Sequence, residues 1–114
     1  MSNEDNAAHR LAVYGTLAPG RSNHHQVAML RGAWRQGTVR GQLLPQGWGA
    51  ALGYPALILD DSAEPVAAHL LESSDLPSHW ARLDAFEGDG YRRVVAAVSI
   101  GGQPVLANIY VLNR

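Results

Sequence analysis

The sequence predicts an α+β domain whose mostly antiparallel sheet curls into a small β-barrel carrying two helices. Three observations support that class. The β-rich stretches come in neighbouring pairs separated by short turn signals. Glycines interrupt one long strand pattern, which is how sheets bend. Only two stretches carry helical signals, too few for the alternating crossovers of a parallel sheet.

The elements follow in the order β-α-β-β-β-α-β-β. Leu11-Ala12-Val13-Tyr14 is a short strand broken by Gly15, with loop signals at Pro19-Gly20. Ser22 is placed to cap a first helix through Gln26, Val27 and Leu30, stopped by Gly32. Trp34 to Leu44 reads as a strand containing Gly37 and Gly41, and Pro45 to Gly53 as a Gly-rich loop around Trp48. Tyr54 to Asp60, a turn at Asp61-Ser62-Ala63, and Pro65 to Glu72 read as a hairpin. A second helix runs from Asp75 to Glu87, with Asp75 as its cap and Pro77 in its first turn. Tyr91 to Ile100 and Val105 to Leu112 close the fold as a hairpin around Gly101-Gly102.

With 114 residues, 46% of them hydrophobic, the chain suits one domain with one core. The polar residues 1–9 are expected to be a disordered tail and 10–114 the domain. Nine basic residues against ten acidic ones leave a net charge of −1, which argues against nucleic-acid binding. The start lacks the pattern of a signal peptide and no apolar run is long enough to span a membrane, so a cytoplasmic location is expected. The chain has no cysteine and all nine basic residues are Arg. Thiolate metal sites, cysteine nucleophiles and lysine Schiff bases are therefore excluded, and the chemistry falls to carboxylates, hydroxyls, imidazoles and backbone.

One residue breaks the pattern of its element. Leu76, Trp80 and Leu83 recur at i, i+4 and i+7, the buried stripe of an amphipathic helix. The next residue in phase is Glu87. It falls in the last helical turn, where the dipole disfavours a carboxylate by about 0.3–1 kcal/mol. Burial and dipole would both raise its pKa, as proton transfer near neutrality requires. The competing reading is that Glu87 frays into solvent or pairs with Arg92 or Arg93. Tyr14-Gly15-Thr16-Leu17, directly after the first strand, is the second signal: a glycine there turns the backbone and presents successive N–H groups to a ligand.

Other motifs carry less. His24-His25 do not share a helix face, and His9, His69 and His79 are scattered, so no metal site is expected; His24 is read as a hydrogen-bonding residue at a helix start. The glycines at 47, 49 and 53 lack dinucleotide-binding spacing, and Asp84, Glu87 and Asp89 lack that of a calcium loop. Ser73, Ser74, Ser78 and His79 have no nucleophile-elbow context, and Ser74 or Asp75 serves better as a cap. Trp34 and Trp48 are read as core residues.

Together, Val13-Tyr14-Gly15-Thr16-Leu17, Gly20, Asn23-His24, Gly53-Tyr54-Pro55-Ala56-Leu57, Leu83-Asp84-Ala85-Phe86-Glu87-Gly88 with Tyr91 and Arg93, and the late Tyr110 resemble the gamma-glutamylcyclotransferase-like family over residues 11 to 112. The resemblance implies a curled barrel with a cavity between the Tyr-Gly-Thr-Leu loop and the glutamate. It also implies cyclisation of a γ-glutamyl amino acid or amine to 5-oxoproline, without metal or cofactor. By similarity Glu87 is the general acid/base, and Tyr14, Gly15, Thr16, Leu17, Asn23, Tyr91 and Tyr110 bind the small-molecule substrate. One departure stands out. Family members often carry Gly-Glu in the strand before the second helix, where this chain has Ala68-His69. The cavity wall is expected to differ there, with Gln42 and the loop around Trp48 as compensating groups, and the departure motivates an alternative, a non-catalytic binding module on the same fold.

Overall fold

The computed structural model describes residues 6–15, 17–44 and 55–113. Its strands are β1 (Arg10–Val13), β2 (Ala33–Leu44), β3 (Ala56–Leu59), β4 (Pro65–Glu72), β5 (Tyr91–Ile100) and β6 (Gln103–Leu112). One α-helix, α1 (Trp80–Glu87), and two short 3-10 segments, His24–Gln26 and Leu76–Ser78, complete the described elements.

Five strands close into a barrel in the order β2-β4-β1-β6-β5, with β5 returning to β2 through Thr38 opposite Ser99. The β1–β6 pairing is parallel and the others antiparallel. Alternation assigns each face. Ala12, Leu70, Ala107, Ile109 and Val111 fill the barrel with Leu57 and Val98, while Leu11, Val13, Leu71 and Tyr110 point outward beneath Leu76, Trp80 and Leu83. Burial on both faces explains why β6 lacks the polar alternation of a surface strand, its residues 107–112 being buried throughout.

Two glycines of β2 let neighbouring strands come close, Gly37 at the point of closure and Gly41 beside β3. A Cβ on Gly37 would run into the Ser99 carbonyl of β5. At Gly41 a Cβ would lie 2.7 Å from the Ile58 carbonyl oxygen. In the sequence these glycines read as bulges or bends; the structure shows them as places where a neighbouring backbone comes close.

Three local expectations are corrected. Residues 56–59 and 65–72 do not pair with each other as a hairpin: β3 and β4 flank β2 on opposite edges. The link between them crosses β2 at one peptide, where Asp60 N donates to Arg40 O (3.2 Å) and Gly41 N donates to Glu64 O (3.4 Å). Length explains the outcome, since β2 has twelve residues and exposes enough backbone to pair with both. The expected first helix is a 3-10 turn at His24–Gln26, held mainly by i to i+3 bonds such as Val27 N to His24 O (2.9 Å), and Ser22 caps no helix. A 3-10 segment is the usual product of a stretch too short to repay helix nucleation.

The second helix is likewise split, with a 3-10 turn before α1. Asp75 makes no side-chain cap; its carboxylate accepts from the Arg31 backbone N–H at 2.9 Å, and Ser73 Oγ accepts from Asp75 N at 3.1 Å. Residues 7–9, assigned by composition to the tail, are tied to the body. Ala7 is buried, Asn108 Nδ2 donates to Ala7 O (2.8 Å), and Trp80 Nε1 donates to Ala8 O (3.0 Å). Among the described residues no helix is long and apolar enough to cross a membrane.

Candidate active site

The phase of α1 decides where Glu87 points. Leu76 and Leu83 are fully buried and Trp80 nearly so, which rotates the same stripe of Glu87 onto the barrel. The helix ends there because Gly88 adopts φ +77°, and its N–H closes the last turn on Asp84 O at 3.1 Å. Glu87 thus faces a cavity of about 110 Å³ where β1 gives way to its loop, lined also by Tyr14, Gly15, Leu17, Asn23, Tyr91 and Tyr110.

Neither competing reading of Glu87 holds. Its carboxyl is largely withdrawn from water, and burial pushes its pKa up from the ordinary 4.5 to about 7. Arg93 pairs instead with Asp84, Nε to Oδ1 at 2.8 Å and Nη2 to Oδ2 at 3.2 Å. Arg92 is exposed.

Three tyrosines frame the cavity, each with a hydroxyl committed to the protein. Tyr14 OH donates to Tyr110 O (2.7 Å) and accepts from Leu57 N (3.1 Å), joining β1 to β6 and β3. Tyr91 OH donates to Pro55 O (2.7 Å). Tyr110 OH donates to Asp84 Oδ1 (2.6 Å). Burial pushes the Tyr14 phenol well above its usual range; Tyr110 is raised by burial first and then by Asp84. Tyr14 and Tyr110 are therefore protonated at neutral pH, and the committed hydroxyls of all three tyrosines shape the cavity that Glu87 faces.

The loop after β1 is held from two sides. His24 Nδ1–H donates to Leu17 O (2.9 Å), and the imidazole lies 5.4 Å from the Trp34 ring. A Cβ on Gly15 would sit 3.3 Å from Pro55 Cγ, so the residue's smallness lets the loop approach β3. His24 therefore does hydrogen-bond as expected of it, fixing the loop that lines the cavity.

The structure brings Tyr14, Gly15, Leu17, Asn23, Glu87, Tyr91 and Tyr110 around one space. Thr16 lies outside the described residues, as do Trp48, Gly53 and Tyr54. Sequence reasoning did not single out Pro55 and Phe86, which also line the cavity, or the tie from Asp84 to Tyr110. The i, i+3 spacing of Asp84 and Glu87 on a helix was the available signal for the last. Ala68 and His69 do not line the cavity: Ala68 packs inside the barrel, and His69 sits opposite Val13 and Gln36. Gln42 is exposed and donates to Asp60 Oδ2 at 3.2 Å, so it does not reach the wall either.

Comparison with known proteins bears on this arrangement. The family model "Gamma-glutamyl cyclotransferase, AIG2-like" matches residues 11–114. No curated protein matches the chain. Among solved structures, YkqA from Bacillus subtilis is 30% identical with a TM-score of 0.69, the match covering 91% of this chain and 35% of YkqA. This chain thus spans about a third of that relative. An AIG2-like protein from Mus musculus gives a TM-score of 0.68 at 23% identity, over 90% of this chain and 75% of the mouse protein. The uncharacterised protein PH0828 from Pyrococcus horikoshii gives 0.65 at 20% identity, over 92% and 78%. The family match takes in the loop after β1, the stripe ending in Glu87 and the closing strands alike, and on that coverage the chain belongs to the gamma-glutamyl cyclotransferase, AIG2-like family.

Proposed function

We propose that the protein is a cyclotransferase that converts a γ-glutamyl amino acid or γ-glutamyl amine to 5-oxoproline and the free amino acid or amine, with Glu87 as general acid/base. The observation that carries this reading is the half-buried Glu87 carboxyl facing the cavity, where desolvation pushes its pKa up to about 7.

The reaction places modest demands on the protein. The nucleophile is the substrate's own α-amine, which closes a five-membered ring on the carbonyl it attacks, so proximity is built into the molecule. The amine arrives as an ammonium, and Glu87 in its carboxylate form takes one proton. The α-nitrogen then bonds to the γ-carbonyl carbon and negative charge develops on its oxygen. As the bond from that carbon to the leaving nitrogen breaks, the leaving nitrogen takes the proton back from Glu87, which returns to carboxylate. The α-nitrogen, now the ring amide, gives its second excess proton to the released amine, which departs as an ammonium. A carboxyl that titrates near neutrality exchanges that proton more evenly than one of pKa 4.5. Backbone N–H groups of the loop at Gly15 and Leu17 are the proposed partners of the developing oxyanion or the substrate carboxylate. Asn23, Tyr91 and Tyr110 are proposed to hold the glutamyl chain folded for attack, with Thr16 assigned by the family resemblance alone.

The test is release of 5-oxoproline by the purified protein from a panel of γ-glutamyl dipeptides and γ-glutamyl amines. Turnover of at least one member, lost by at least a hundredfold in Glu87→Gln, is expected. A folded wild type that turns over no member, or a Glu87→Gln variant of undiminished rate, would overturn the reading. The binding-module alternative rested on Ala68-His69, and that pair's position off the cavity wall removes its motive.

A further inference from the structure

The helix stripe that delivers Glu87 also carries Trp80 and Asp84, at i, i+4 and i+7. The Arg93 guanidinium is fixed at the first two of these. It lies 4.3 Å over the Trp80 ring, is gripped through two nitrogens by Asp84, and uses Nη1 to reach Asn108 Oδ1 at 3.0 Å. Asn108 is buried and anchored in turn on Ala7 O. The Trp80 contact draws the cation towards the N-terminal end of α1, and Asp84 holds it at mid-helix. Electrostatics alone favours the other end, because the helix C-terminus is negative, its last turn holds no basic residue, and Glu87 stands there.

We infer that the Asp84–Arg93 pair is a positioning device for the reaction proposed above: by anchoring Arg93 against Trp80, Asp84 keeps this cation off Glu87. The inference rests on that reading for its catalytic meaning, but not for its test. Three residues, about 4.5 Å of helical rise, separate the anchored guanidinium's partner from the residue it is kept from. An Arg–carboxylate contact at Glu87 would stabilise the anion and convert a proton carrier into a permanent carboxylate. Asp84 is well matched to the task, since its own pKa is held below the usual carboxylate range, chiefly by the Arg93 hydrogen bonds, and it stays charged when Glu87 does not.

The other groups around Glu87 do not take over this control. Tyr14, Tyr91 and Tyr110 face it from the loop after β1, from β5 and from β6, each with its hydroxyl committed elsewhere. Asn23 is neutral, and Asp89 and Arg92 are exposed. The Tyr110–Asp84 bond adds a mechanical role: it fixes α1 against β6 one turn before Glu87, so the same carboxylate sets both the acid's charge environment and its direction.

The experiment is a carbon-13 NMR titration of the Glu87 carboxyl in the full chain, assigned by its loss in Glu87→Gln, for the wild type, Asp84→Asn, Arg93→Gln and the double variant. Asn at 84 still accepts from Tyr110 but lacks the charge and the second oxygen that grip the cation. Its Glu87 midpoint is expected to fall by about one unit as Arg93 moves onto Glu87. Removing Arg93 as well should return the midpoint to that of the wild type, and Arg93→Gln alone should raise it, because Asp84 is then uncompensated. An Asp84→Asn midpoint unchanged from wild type, or a double variant as low as the single one, overturns the inference. Should Asp84→Asn fail to fold, an Arg93→Gln midpoint that stays level or falls does so. None of these readouts requires turnover. Absence of 5-oxoproline from the wild type would sink the catalytic reading while leaving the titrations to judge the pair. In an active enzyme the acid limb of kcat/KM should move with the midpoints.

Discussion

Placing an acid where it is poorly solvated costs stability, and the cost depends on pH in a calculable way. The Glu87 pKa is about 7 in the folded chain against an ordinary 4.5 in the unfolded one. Between these values the unfolded state binds fewer protons, so stability falls as pH rises. The neutral acid is fully compatible with the fold below pH 4.5, and the penalty is complete once pH has risen through 7. A shift of about two and a half units corresponds to about 3 kcal/mol. Glu87→Gln removes the titration while keeping size and shape. The variant should therefore gain on the wild type by about 3 kcal/mol between pH 4.5 and pH 8.5. Urea unfolding followed by tryptophan fluorescence at a series of pH values measures both proteins, and subtraction cancels Asp60, Asp75 and Asp84, which they share. Stability curves that run parallel from pH 4.5 to 8.5 would refute the burial of this carboxyl and with it the reasoning about the site.

Two further outcomes test the scaffold. Gly37→Ala directs a methyl group at the Ser99 carbonyl where β2 meets β5, and should lower stability by about 3 kcal/mol, read as a Tm about 10 °C below wild type. Tyr14→Phe deletes the hydroxyl that serves Tyr110 O and Leu57 N, leaving the N–H of a fully buried residue unpaired; a loss of about 2 kcal/mol in denaturant unfolding is expected.

What could be read from the residues was mostly local. The turn at Gly101-Gly102 declares itself because both glycines adopt positive φ, and the β5–β6 pairing follows from it. The stripe Leu76-Trp80-Leu83-Glu87 survives although the helix is split, since the Pro77 segment forms a 3-10 turn that leaves Leu76 facing inward. Pairings between distant strands were hidden. Nothing in Pro65–Glu72 states that its neighbours are β2 and β1 rather than β3, because any of these alternating strands offers a compatible face. The candidate site divides along the same line. Glu87 was found as a violation of its own helix, whereas the role of Asp84 depends on Arg93 and Tyr110, which arrive from β5 and β6.

The parallel contact of β1 with β6, Leu11 opposite Asn108, sets a schedule for synthesis. Some 95 residues separate the two strands, which at ordinary translation speeds is a wait of about 5–20 s. Before that pairing forms, the apolar face of β1 stays open on one side, and the space beside residue 87 is not yet enclosed.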